Sequence, residues 1–344
     1  MKKITLPLVA GFIAYAVSSC FEPTLQEPGG SLSDHNARVA SEEDRCATMK
    51  VWEEKVKENP GLLRKMQEIE EHTQRFAAQK GNSKPGGGGG GPVSTTATIT
   101  IPVYVHVVSN VNKPEEDISD AQIQSQIAVL NADFQKLNSD ASQTPAEFAS
   151  RVANFNIQFV LARTIRKSST KTQWGTNDAV KSTKRGGSDP INPETSLNIW
   201  VCNIGGGILG YAQFPGGSLA TDGVVVGPQY FGSSAVSNNF YLEAPYDKGR
   251  TATHEIGHWL NLRHIWGDGG CGVDDFVADT PLAGGPNYRC PGYPTVGCGN
   301  NMMTMNYMDY TYDACMYMFT EGQKTRARAV FASGGPRSSF VTTP

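Results

Sequence analysis

Between residues 98 and 108, Ile99, Ile101, Val103, Val105 and Val107 alternate with Thr98, Thr100, Tyr104, His106 and other side chains. This is the period-two pattern of a half-buried strand rich in β-branched residues. Residues 156–162 and 197–202 read as further strands, and 209–214 and 224–226 as shorter ones bracketed by glycines. Helical spacing starts at Ser119-Asp120 and runs through Ile123, Ile127, Leu130 and Phe134, begins again near Arg250, and returns over 321–331. Two more helices are predicted over 51–58 and 62–76, broken at Asn59-Pro60-Gly61, with Leu62, Met66, Ile69 and Phe76 on one face. Strands interleaved with few helices, then a loop-rich tail, predict an α+β domain.

The ends of that domain are set by two stretches without such periodicity. Lys2 and Lys3 followed by an apolar run over 4–17 read as an export signal, too short to span a membrane comfortably. Val17-Ser18-Ser19-Cys20 resembles a bacterial lipobox in which Cys20 is lipidated, whereas Ala14-Tyr15-Ala16 resembles an ordinary cleavage site. The six-glycine run over 86–91, between Pro85 and Pro92, buries nothing and reads as a protease-accessible linker. The division is therefore a signal peptide over 1–20, a pro-segment with its linker over 21–92, and a main domain over 93–344. Helices 51–58 and 62–76 are too charged and too small to fold alone, so the pro-segment is expected to pack on another surface.

Composition narrows the function. Thirty basic and 33 acidic residues give a net charge of −3 with no basic block, which argues against nucleic acid as a partner. No apolar run after residue 20 approaches a membrane span, so membrane attachment falls to a lipidated Cys20. Seven cysteines agree with an oxidising compartment outside the cell or on its surface.

Three of the six histidines fall between positions 254 and 264, in the run HEIGHWLNLRH. Side chains four apart on a helix are about 40° apart around the axis, so His254 and His258 share a face and can share a metal. Glu255 sits one position round, beside the metal, where it can take a proton from water. His264 reaches the same ion only if the chain leaves the helix near 261 and folds back. Asn261 stands at that turn, and asparagine tolerates positive φ better than most residues. Three imidazoles with a fourth position left open suit catalytic zinc.

The stretch HEIGHWLNLRHIWGDGGC at 254–271, followed by NYMDYTYDACMYMFT at 306–320, resembles the metzincin metallopeptidases. It is similar in particular to the pappalysin family and its bacterial branch. The resemblance extends over most of 93–344. It implies a mixed twisted sheet with a backing helix, an active-site helix and a loop-rich C-terminal subdomain. It also implies Met308 as a hydrophobic base beneath the zinc and Tyr310 as a phenol that stabilises the developing oxyanion. In the same family an edge strand pairs with extended substrate, which would be 209–214 here; an interior strand is the equal alternative. Members often prefer arginine just after the scissile bond, held by an acid beside the last cysteine. Here Ala314 occupies that place and Asp313 is the neighbouring candidate.

Arg45-Cys46 in the pro-segment could cap the metal, since a tethered thiolate is a strong zinc ligand, and relatives use such a cysteine switch. A Cys46–Cys202 disulfide is the rival reading. Clustered carboxylates on the Gly-rich loop after His264 suit calcium. Asp268, Asp275, Asp279 and Thr280 are the candidates, and the resemblance points most directly to Asp275 and Thr280. Cys271, Cys290, Cys298 and Cys315 are expected to form two bridges, with spacing that resembles the crossed pairing 271–298 and 290–315; the other two pairings stay open. The chain therefore reads as an exported, monomeric zinc endopeptidase acting on proteins or peptides and made as a zymogen. The alternative is a surface-anchored binding protein with a structural zinc site.

Overall fold

A computed structural model of the protein describes residues 45–82 and 97–341, with side chains of 80–82 left out. The signal region with Cys20, the polar stretch after it and the glycine run lie outside the described residues. All described residues fall within one compact unit, 40–344.

The alternating stretch forms the central strand β1 (Ile99–Asn110), whose Ile101, Val103, Val105 and Val107 are fully buried. It pairs in parallel with β2 (Ile157–Ser169) on one side and β3 (Leu197–Val201) on the other. β5 (Val224–Val226) extends the sheet in parallel, and β4 (Gly210–Ala212) closes it antiparallel to β5, giving the order β2-β1-β3-β5-β4. β2 runs past the expected end at 162, because the register with β1 continues through polar residues to Ser169. The strand read at 209–214 is the edge strand, paired within the sheet only to β5.

Helix α3 (Asp120–Phe134) starts where Ser119 accepts a hydrogen bond from Gln122 N, satisfying one of the free N–H groups of the first turn. Its Ile123, Leu130 and Phe134 back the sheet, and Phe134, Phe155, Phe159 and Phe319 form one aromatic cluster. Two short helices follow the same logic. α4 (Ala146–Ala149) buries Phe148, and α6 (Glu321–Ala329) begins in a capping box of Thr320 and Gln323. Helix α5 (Arg250–Trp259), which carries the first two histidines of the motif, is buried along its whole length. Gly257, in its last turn, is required by packing: a Cβ there would stand 2.4 Å from Met308 Sδ. The loop-rich region between α5 and α6 is stapled by Cys271–Cys298 and Cys290–Cys315, the crossed pairing. Cys46 and Cys202 are free thiols, so the rival disulfide is not formed.

The N-terminal segment folds as α1 (Thr48–Glu58) and α2 (Gly61–Asn82) against the domain. Val51, Met66, Ile69 and Phe76 are buried, while Leu62 is only half-buried. Glu70 grips Arg326 of α6 through two hydrogen bonds of 2.9 and 2.6 Å, His72 bonds to Ala329 O, and Lys55 pairs with Asp178.

His106 shows how a polar group is held inside this sheet. Its Nδ1 pairs with Ser188 Oγ at 2.8 Å, its Nε2 with Asn198 Oδ1 at 2.9 Å, and its ring stacks on Trp200. Burial pushes its pKa down from 6.5 to about 4. The unfolded chain therefore takes up this proton first, and stability is lost as pH falls from about 6.5 toward 4. Denaturant titrations should show a loss on the order of 3 kcal/mol across that window from this group. His106→Gln should flatten it, and equal slopes in the two proteins would contradict this account.

Candidate metal centre

Helix α5 is set in place at its start by a carboxylate from the far end of the chain. Asp313 Oδ2 accepts from Lys248 N at 2.8 Å and Arg250 N at 3.1 Å, which favours negative charge at a helix N-terminus. Burial raises the Asp313 pKa to about 6 despite those bonds. Below, Asp133 of α3 accepts from Thr253 Oγ1 and Tyr307 Oη, and Arg250 Nε lies 3.1 Å away. The helix ends at Trp259, and Asn261 takes a φ of 73°. Its carbonyl accepts from Arg326 Nε at 2.7 Å, and Leu262 N returns to Gly257 O. The chain thus folds back at the position the motif demands.

That turn brings three ring nitrogens face to face. His258 Nε2 lies 3.2 Å from His254 Nε2 and 3.1 Å from His264 Nε2. Each Nδ1 has an acceptor on its outer side: Tyr307 O at 2.7 Å for His254, Leu262 O at 2.8 Å for His258, and Asp268 Oδ1 at 2.5 Å for His264. With Nδ1 donating outward, the Nε2 lone pairs point at one another. Burial lowers the His254 pKa to about 3 and that of His258 well below its usual value, so protons do not relieve the contact. Three imidazole nitrogens in that arrangement fit a divalent metal. Cys46 Sγ joins them, all four ligand atoms lying within 4.8 Å of one another, and this is the one such cluster among the described residues.

Glu255 stands beside the cluster. Its Oε2 accepts from Thr48 Oγ1 at 2.8 Å and from the Cys46 thiol at 3.5 Å, and burial raises its pKa to about 8. Thr48 Oγ1 in turn accepts from Ala212 N of the edge strand at 2.8 Å. Gly210 leaves room for the carboxylate, since a Cβ there would stand 2.9 Å from Glu255 Cγ. Tyr310 Oη donates to the main-chain carbonyl of Cys46 at 3.4 Å, and burial holds its pKa well above the usual range. Met308 packs against α5 at Gly257.

Residues 45–47 lie along β4 through an isolated parallel bridge at Cys46: Leu209 N donates to Arg45 O at 2.8 Å and Ala47 N to Gly210 O at 3.0 Å. Arg45 enters a pocket beside His254 and Glu255. Its guanidinium lies 4.7, 5.2 and 5.6 Å from the ring centroids of Tyr246, Tyr288 and Tyr312, and Nη1 donates to Tyr310 O. Asp313 also lines the pocket, but its Oδ2 is the oxygen that holds the start of α5.

The four calcium candidates do not converge. Thr280 Oγ1 donates to Asp275, whose buried carboxyl is pushed up to about 8. Asp268 instead orients His264, and Asp279 accepts from Thr320 Oγ1 and Gly322 N at the start of α6. Sequence reasoning missed Thr48, Asp133 and Gly257. Only Gly257 left a signal, a glycine inside a helix, which costs about 1 kcal/mol relative to alanine and so points to a packing need.

Comparison with known proteins agrees with this geometry. The family model described as peptidase M43, pregnancy-associated plasma protein-A, matches residues 188–332. Extracellular metalloprotease 1 of Coccidioides posadasii is 34% identical over 240 residues, covering 68% of this chain and 78% of that protein. Mature mirolysin of Tannerella forsythia, solved with a cleaved peptide, superposes with a TM-score of 0.68 at 47% identity over 72% of this chain and all of its own. A promirolysin point mutant from the same organism reaches 0.74 at 41% identity, over 86% of this chain and 96% of its own. On these grounds the chain belongs to the pappalysin family and is a zinc metalloendopeptidase of the metzincin fold.

Proposed function

We propose that this chain is an exported zinc endopeptidase whose residues 21–92 are a pro-segment holding it latent. The observation that carries the reading is the convergence of three outward-anchored imidazoles on one point, with Cys46 Sγ and Glu255 beside it. Zinc held by His254, His258 and His264 supplies Lewis acidity to a water and to the peptide carbonyl. Glu255 accepts the water's proton at Oε2 and hands it to the departing amine. Tyr310 Oη donates to the carbonyl oxygen as charge develops there; its present bond to the Cys46 carbonyl supports that aim. Met308 packs beneath α5 and holds the helix level. The N–H groups of β4, now taken by residues 45–48, pair with an extended substrate.

In the latent form Cys46 serves as the fourth ligand and Thr48 occupies the Glu255 carboxylate. The wider match to promirolysin than to mature mirolysin supports a zymogen. Export, read from residues 1–20 with Cys20 as the lipidation site, agrees with relatives named extracellular metalloproteases. The tyrosine-lined pocket that holds Arg45 suits an arginine of the substrate, recognised by ring faces and a carbonyl. Asp275 and Thr280 suit calcium, because a buried carboxyl raised by burial gains from a cation.

Glu255→Gln should keep its zinc by elemental analysis while kcat on a casein-like substrate falls by about 10²–10⁴-fold; wild-type turnover would overturn the assignment. Unprocessed Cys46→Ala should cut a fluorogenic peptide at least about tenfold faster than the unprocessed parent, and equal rates would remove the switch. Adding calcium to zinc-loaded, calcium-free enzyme should raise Tm by about 5 °C. Asp275→Asn should abolish the shift, and a shift retained in that variant would exclude the site.

A further inference from the structure

The segment from Arg45 to Trp52 crosses the metal centre with its two ends on different ground. Arg45 O is tied to Leu209 N, just before β4, and Thr48 Oγ1 to Ala212 N at the end of β4. Met49 and Trp52 therefore lie beyond the metal, on the opposite side from the Arg45 pocket. There Trp52 meets Phe214 edge-on at 6.0 Å, and Phe214 meets His258 edge-on at 5.4 Å. Arg263, one residue before the third imidazole, lays its guanidinium 4.9 Å from the Phe214 ring centroid.

This arginine is bonded unlike its neighbours. Its Nη1 faces only the Met49 thioether, at 4.0 Å, and its buried Nε has no hydrogen-bond partner. Arg326 and Arg337, by contrast, each hold a carboxylate with two nitrogens and a main-chain carbonyl with a third. The carboxylates near Arg263 are spent elsewhere, Asp268 on His264 and Glu70 on Arg326. Sulfur is a weak acceptor, and a buried donor left without a partner calls for a ligand. A thioether lid also covers the cation without forming an ion pair that must later be broken.

We propose that Arg263 binds substrate, reading a carboxylate side chain on the side of the scissile bond opposite the Arg45 pocket. The proposal rests on the peptidase reading and on departure of the segment, which uncovers Arg263 as Met49 and Trp52 leave. With its central carbon over the Phe214 ring and its Nε unpaired, the guanidinium has N–H groups left for a carboxylate, which it can grip with two parallel bonds. The cleft then selects a bipolar peptide, with a cation on one side of the cut and an anion on the other.

The test uses enzyme processed in its glycine-rich linker and peptides with arginine fixed at the position that fills the tyrosine-lined pocket. Aspartate, asparagine, alanine and phenylalanine are placed in turn at each of three positions across the cut. The wild type should prefer aspartate over asparagine by about tenfold in kcat/KM at one of these positions. That preference should shrink between about 0.05 and 0.5 M salt. Arg263→Gln should bring the ratio within about twofold, and Arg263→Lys should keep part of it. The ratio, not the rate, is the readout, because a variant beside His264 that loses some active fraction still reports it. Equal cleavage of the aspartate and asparagine peptides by wild type, or an unchanged ratio in Arg263→Gln, overturns the proposal alone. A wild type that cuts none of the peptides overturns the peptidase reading with it.

Discussion

Three imidazole nitrogens that meet within about one metal-ligand shell fit around a single shared cation. That constraint organises the molecule. Helix α5 supplies two rings on one face, but the third depends on a chain reversal at Asn261, held by Arg326 from α6. Each ring is then fixed from behind by an acceptor on a different segment: the turn carrying Met308, the reversal itself, and the loop carrying Asp268. Such outer acceptors set the tautomer and the ring plane, and a site without them would be loose. The sheet, the aromatic cluster and the two disulfides keep those three segments in register with the helix.

The part of the site that was legible in the sequence was the part encoded by local spacing. His254, Glu255 and His258 follow from helical geometry, and His264 follows from requiring a turn at a residue tolerant of positive φ. Strand and helix positions followed from periodicity for the same reason. Periodicity carries no information on what lies beside a strand, so 209–214 stayed undecided between edge and interior until the pairing was seen. β2 continued beyond its apolar stretch because pairing with β1, not burial, sets its length.

What stayed illegible depends on partners distant in sequence. Asp268, Asp275 and Asp279 look alike as acidic loop residues, yet one holds the His264 ring, one is buried against Thr280, and one caps α6. Asp313 could be named as a pocket acid, but it serves the first turn of α5. Cysteine parity allowed a bond between Cys46 and Cys202. The fold sets Cys202 in a buried cluster with Trp200 and Tyr211 and aims Cys46 at the histidines. Thr48 carried no sequence signal at all, and it joins the edge strand to the Glu255 carboxylate.

The N-terminal segment thus meets the site through a bridge to β4, a sulfur beside the imidazoles, and helices tied to the domain by Lys55 and Glu70. X-ray absorption at the zinc edge, on the full chain and again after the segment is released, addresses the central claim directly. The account predicts three nitrogen ligands and one sulfur in the full chain, then loss of the sulfur with all three nitrogens retained. A shell without sulfur in the full chain, or with fewer than three nitrogens in either form, would contradict it.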